Sequence, residues 1–209
     1  MNITIFVYDG FTALDAIGPY EVLSRLPGAT TTFVGPSAGR VRTDNGILGV
    51  FADGALADVE QCDVLVVPGG PASGAMGEEA GIAEALRRLD AGSKVTASVC
   101  TGSLILGAAG LLKGRRSTTH WAFLDALRGF GAEPVAERVV VDGKYYAAAG
   151  VSAGIDMALQ LTADLVGRPV AEAIQLGIEY DPQPPFDAGS PDKAAPETVA
   201  MLRARFAAR

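Results

Sequence analysis

Two hydrophobic rhythms alternate along the chain. The first is the short, unbroken apolar run. Ile3 to Tyr8 is β-branched and aromatic and ends at Asp9-Gly10, which predicts an opening strand closed by a turn. Asp63-Val-Leu-Val-Val-Pro68 carries no polar alternation and is broken by Gly69-Gly70-Pro71, the pattern of a strand buried on both faces. Thr31 to Val34 and Lys94 to Val99 predict two further strands. Hairpin signals stand at Asn45-Gly46, within residues 40–52, and at Asp142-Gly143, between Val139–Val141 and Tyr145–Ala148.

The second rhythm is helical. Leu14, Ile17, Val22 and Leu26 can share one helix face, and Gly18-Pro19 predicts a kink or a late start near Pro19. Glu78 to Asp90 predicts a helix with Ile82, Leu86 and Leu89 in the core and Gly92 as its cap. Gly102 to Leu112 predicts an apolar helix, and another follows Ser117-Thr118-Thr119-His120 through Leu127. Ile155 to Leu165 and Val170 to Ile178 predict helices split by Gly167-Arg168-Pro169, and a short amphipathic helix is expected from about Pro196 to Phe206. Asp181 to Ala195, rich in Pro, Asp and Gly, is expected as an ordered loop packed on the body or at a subunit interface. Strands alternating with helices predict a mostly parallel α/β sheet with helices on both faces. The length predicts a single domain over residues 1–209.

Composition narrows the chemistry. The 209 residues carry 17 basic and 24 acidic side chains, a net charge of −7, which gives a nucleic-acid backbone no attraction. One His and two Cys cannot build a zinc finger, so no metal is expected. Two Cys form no disulfide framework, which makes a reducing cytoplasm the default compartment. MNITIFVYDG has no basic leader region, and no apolar run approaches about 20 residues, so neither a signal peptide nor a membrane span is expected. There is no Walker A sequence, and Gly69-Gly70-Pro-Ala-Ser-Gly74 does not fit a dinucleotide fingerprint, so no nucleotide and no cofactor is expected.

The sharpest local feature is Ala97-Ser98-Val99-Cys100-Thr101-Gly102-Ser103. A buried strand runs into Cys100 and an apolar helix leaves after Thr101, the strand–turn–helix setting of a nucleophile elbow. A thiol at a helix N-terminus is expected to ionise below its free value of about 8.5; a buried structural Cys is the alternative. Gly69 and Gly70 close a neighbouring strand, where their N–H groups, with that of Thr101, would form an anion-stabilising pocket or merely a tight turn. Asp15 follows the first strand in an apolar setting. It is either a helix N-cap or a partly desolvated carboxyl that hands over a proton. His120 is the lone imidazole; beside Trp121 and Thr119 it reads as a pocket wall more than as a base. Cys62 reads as an inert small hydrophobe.

These residues together resemble the PfpI-like superfamily, related to class I glutamine amidotransferases. The matching pieces are FTALDAIGPYEVL after the first strand, DVLVVPGG, ASVCTGSLILGAAGLL, STTHW and AAAGVSAGIDMALQL. The resemblance implies a flavodoxin-like αβα sandwich, a homodimer and Cys100 as nucleophile. Within the superfamily the chain resembles the isonitrile hydratase branch, on VCTGS, TTHW and EYDPQPPFDAGSP from Glu179 to Pro191. That branch places an Asp where others place a Glu after the first strand, and Asp15 fills the position. Many PfpI-type hydrolases carry His directly after the Cys, whereas Thr101 stands here. The implied reaction is hydration of an isonitrile to an N-substituted formamide. Cys100 attacks to form a thioimidate, Asp15 supplies or relays the proton, and Thr101 Oγ positions Asp15 or water. Tyr180 and Trp121 are expected in the pocket wall. Other cysteine-dependent chemistry (glyoxal hydration or deglycation) and a non-catalytic ligand- or oxidation-sensing role stand as alternatives. The chain also resembles the sensor half of some AraC-type regulators, but the stretch after Asp181 is expected to be too short for their DNA-binding domain.

Overall fold

The computed structural model describes residues 1–207. In chain order the strands are β1 (Asn2–Phe6), β2 (Thr30–Gly35), β3 (Gly39–Arg42), β4 (Gly49–Ala52), β5 (Gly54–Ala55), β6 (Val64–Val67), β7 (Val95–Val99), β8 (Arg116–Ser117), β9 (Glu133–Pro134), β10 (Val139–Asp142) and β11 (Tyr145–Ala148). The helices are α1 (Ala13–Leu23), α2 (Ser73–Glu78), α3 (Ala80–Gly92), α4 (Gly102–Ala108), α5 (Ala153–Val166), α6 (Arg168–Gly177) and α7 (Pro196–Ala207), with a 3₁₀ stretch over Trp121–Phe130.

A seven-stranded sheet has the order β10-β11-β7-β6-β1-β2-β5. All its pairs are parallel except the β10–β11 hairpin. The two central apolar runs are its core: every residue of β6 and of β7 is buried. Helices gather in two groups, α1 on α5 and α5 on α6, and α2 and α3 on α4, which also packs on the 3₁₀ stretch. This is the helix-flanked, mostly parallel sheet of a flavodoxin-like fold. Both hairpin signals hold, with β3 antiparallel to β4 around Asn45-Gly46 and β10 to β11 around Asp142-Gly143.

Four expectations change. Helix α1 starts at Ala13 and runs through Pro19. The missing proline N–H is tolerated where Gly18 and Pro19 present a small surface to α5: a Cβ on Gly154 would sit 3.2 Å from the Pro19 ring, and one on Gly18 would sit 3.1 Å from Ile155. Leu14, assigned to the core face, is instead exposed. The helix predicted over Glu78 to Asp90 is α3, which starts at Ala80 and includes Gly92, so Ser93 follows its end; the short helix α2 before it was not expected. Residues 181–189 are exposed throughout rather than packed on the body, because the segment has few apolar groups to bury and its prolines lack N–H donors.

The chain proceeds outward from β1 to β2 on one side and from β6 through β7 to β11 on the other. That makes the gap between β1 and β6 the topological switch point, where open α/β sheets place their ligands beyond the carboxyl ends of the strands. The loops after β1, β6 and β7 meet there.

Candidate active site

Cys100 has φ of 57°, left-handed backbone that a non-glycine residue adopts only when its surroundings hold it. Four hydrogen bonds hold it here. Its N–H donates to the carbonyls of Ala148 and Ala149, at 3.0 and 2.8 Å. Its carbonyl accepts from Thr119 Oγ1 at 2.8 Å and from Ser103 Oγ at 3.2 Å. The conformation turns the side chain out of the sheet plane and into a cavity of about 400 Å³, near the lower end of the roughly 300–1,000 Å³ usual for small-molecule sites.

The glycines allow the elbow to sit close to β6. A Cβ on Gly102 would run into the Val67 carbonyl oxygen and stand 2.9 Å from Pro68 C. A Cβ on Gly69 would collide with the Thr101 amide. The N–H of Gly69 donates to Asp15 Oδ2 at 3.1 Å, and that of Gly70 to Thr101 Oγ1 at 2.9 Å. Thr101 Oγ1 in turn donates to the Gly70 carbonyl at 3.2 Å. These bonds correct two expectations. The Gly69 and Gly70 amides are committed to the protein and form no free anion pocket. The Thr101 hydroxyl bonds both backbone groups of Gly70 and so fastens the β6 loop rather than Asp15. The backbone amides that reach the sulfur are those of Thr101 and of Val151, in the turn before α5.

Asp15 lies in the first turn of α1 and is fully buried; the N-cap is Thr12. Its Oδ1 accepts no protein N–H or O–H. The carboxyl and the Cys100 thiol are hydrogen-bonding neighbours. Burial pushes the Asp15 carboxyl up to about 7, against the pull of the Gly69 amide and the thiol, and Asp44 adds a further upward push. The thiol does not ionise easily, contrary to the expectation for a helix N-terminus. Burial and the facing Asp15 charge push it well above its ordinary value, outweighing the Thr101 and Val151 amides. The two acidic groups face each other, and both shifts favour the protonated forms: the thiol keeps its proton, and the Asp15 carboxyl gives up its own only near pH 7.

His120 lines the cavity. Its Nδ1 accepts the Ala122 amide at 3.3 Å and burial lowers its affinity for a proton, so the neutral ring carries hydrogen on Nε2. A ring in that state presents a donor, not a lone pair, at Nε2. Thr119 is buried beneath the elbow rather than in the pocket wall. Trp121 stands behind His120, ring centroids 5.5 Å apart, and does not line the cavity. Tyr180 is elsewhere: its hydroxyl donates to Asp156 on α5. Cys62 is buried away from this cavity, with burial pushing its thiol up.

Sequence reasoning missed several contributors, Leu104 and Phe123 of the cavity lining among them. Asp44, in the β3–β4 turn, lines the cavity and accepts from Thr12 Oγ1 at 3.2 Å; beside Asn45-Gly46 it carries only a turn signal. Val151 acts through its amide, which leaves no mark in residue type. Phe206, on α7, lines the cavity from the far end of the chain.

Residues 1–164 match the model of the DJ-1/PfpI family. The chain is 42% identical over 207 residues to an isonitrile hydratase of Pseudomonas putida, covering 99% of this chain and 90% of that protein. It is 31% identical over 147 residues to a deglycase of Thermococcus kodakarensis, covering 69% of this chain and 87% of that one. A crystal structure of a ThiJ/PfpI family protein from Pseudomonas syringae superposes with a TM-score of 0.95 at 39% identity, over 99% of this chain and 86% of that one. The elbow at the switch point of a parallel sheet and these matches make the chain a member of the DJ-1/PfpI family.

Proposed function

We propose that the protein is an isonitrile hydratase, converting R–N≡C and water to the N-substituted formamide. The observation that carries the reading is the juxtaposition of Cys100 with the facing Asp15 in an apolar-walled cavity with no imidazole base beside it. Near-full-length identity of 42% to an isonitrile hydratase supports it.

The terminal carbon of an isonitrile accepts a nucleophile as it accepts a proton. In the reactive form the Asp15 carboxylate takes the Cys100 proton and passes it to that carbon while sulfur attacks it. The C–S and C–H bonds form together, the C–N bond order falls, and the thioimidate R–N=CH–S–Cys100 results. Asp15 is then again a carboxylate. It takes a proton from the incoming water, whose oxygen adds to the carbon, and returns that proton to nitrogen. Transfer of the hydroxyl proton through Asp15 to sulfur breaks the C–S bond and releases R–NH–CHO and the thiol. The Thr101 and Val151 amides stabilise negative charge on sulfur as it develops. The scheme draws on a held thiol and a nearby carboxylate, without a preformed thiolate.

Cys100→Ala should abolish formamide production, followed as loss of the isonitrile infrared stretch. Mass spectrometry of quenched turnover should find the adduct on Cys100 and not on Cys62. Retained activity in the Ala variant sinks the reading, and turnover of methylglyoxal with none of an isonitrile moves it to deglycase-type chemistry. We further propose one domain acting as a homodimer in the cytoplasm. Two free cysteines suit a reducing compartment. The exposed Leu14, Ile47, Leu48 and Phe51 suit association. Among the described residues no helix is long and apolar enough to cross a membrane.

A further inference from the structure

One residue of the cavity lining, Phe206, comes from a part of the chain beyond residue 164, where the family match ends. Helix α7 has no buried residue. Phe206 joins it to an aromatic cluster: the ring stands edge-on to His120 at 5.1 Å and to Trp121 at 6.2 Å, and tilted to Phe123 at 5.9 Å. The Arg203 guanidinium lies 5.2 Å above the Trp121 ring. Phe206, Phe123 and Leu104 thus give the cavity an apolar side. Outside the elbow, Asp44 brings an acidic side chain to the lining.

An isonitrile is linear from its terminal carbon to the first atom of R. With that carbon at Cys100 Sγ, the R group projects away from the sulfur, toward the remaining walls of the cavity. We propose, resting on the hydratase reading, that Phe206 is a specificity-determining residue. Together with Phe123 and Leu104 it selects isonitriles whose R group is an uncharged apolar ring, and Asp44 turns away anionic ones. The family core supplies the chemistry and, through Leu104 and Phe123, part of the selecting wall, which Phe206 of the C-terminal helix completes.

The test compares kcat/KM for methyl isonitrile, cyclohexyl isonitrile and 4-isocyanobenzoate in the wild type, Phe206→Ala and Phe206→Leu. The wild type should favour cyclohexyl over methyl, with the difference mainly in KM, and should discriminate against the benzoate. Phe206→Ala should lower the cyclohexyl-to-methyl ratio about tenfold, the scale of losing apolar pocket contact, and Phe206→Leu should recover most of it. A ratio unchanged within twofold in Phe206→Ala overturns the proposal. Calorimetric binding of cyclohexyl isonitrile to Cys100→Ala and to Cys100→Ala/Phe206→Ala tests the wall without turnover. About tenfold weaker binding in the double variant upholds it even where the wild type hydrates no isonitrile, an outcome that would defeat only the hydratase reading. Equal binding in the two variants overturns the wall whatever the turnover.

Discussion

At the scale of single residues the site turns on where one proton sits. Because the carboxyl of Asp15 titrates near 7 and the thiol far higher, the proposed reactive form carries one proton across the pair and accumulates as pH rises through about 7. kcat/KM should therefore rise close to tenfold per pH unit below about 7 and level off above it. Asp15→Asn should remove that limb together with most of the rate. A profile that instead falls through pH 7 would mean that the carboxyl acts only when protonated. Stability carries the same signature with the opposite slope. A carboxyl that ionises at 3.8 in the unfolded chain and at about 7 when folded binds more protons in the folded state between those values. Its contribution is thus fully present below pH 3.8 and lost as pH climbs to about 7, at most about 4 kcal/mol at 1.36 kcal/mol per pH unit. The melting temperature of Asp15→Asn relative to wild type should therefore increase by several degrees from pH 4 to pH 8. A difference that stays constant with pH would remove burial of the charge as the cause.

At the scale of elements, the elbow depends on contacts between two strands' ends as much as on its own turn. Gly102 lies against the Val67 carbonyl, so Gly102→Ala should push α4 away from β6 and relax the left-handed backbone at Cys100. The expected result is a melting temperature lower by several degrees and loss of turnover, with circular dichroism still showing the α/β fold. Unaltered kinetics would mean that α4 shifts without disturbing the thiol. The strands around this elbow were legible in the sequence because β6 and β7 are buried on both faces and so carry unbroken apolar runs. Helix α2 was not, since six residues with two glycines, SGAMGE, hold no periodicity to read. Pro19 misled for a related reason: local chemistry predicts a break, but packing of Pro19 against Gly154 overrides it. Cys100 and Asp15 were legible because each follows a buried strand. The destination of the Gly69 and Gly70 amides was not, because a bond to Asp15 or Thr101 spans many residues. The ionisation of Cys100 was misjudged for the same reason: the helix terminus is written locally, whereas burial and the facing carboxylate are set by the whole fold.

At the scale of the whole molecule, the surface has an uneven apolar distribution. Ile47 is 82% exposed, Phe51 65% and Leu48 47%, all on or beside the β3–β4 hairpin. The turn of that hairpin is tied to the segment before α1, since Phe11 bridges to Thr43 and the Asp44 amide donates to the Phe11 carbonyl at 2.9 Å. Leu14, 39% exposed, stands one residue from Asp15. Apolar groups so prominent beside a functional cleft are the usual mark of a surface that is covered in solution. If a second copy covers it, assembly holds in place the hairpin that brings Asp44 to the cavity and the first turn of α1 that brings Asp15. Leu48→Glu with Phe51→Glu should then convert the species seen by sedimentation equilibrium from twice the chain mass to one chain mass. Leu48 and Phe51 are absent from the cavity lining, so substrate contact is untouched by this change. A fall in kcat/KM accompanying dissociation, restored at protein concentrations high enough to drive reassociation, would show that the hairpin needs its partner to hold the site. A double variant that stays at twice the chain mass would place the interface on another face and leave this apolar patch unassigned.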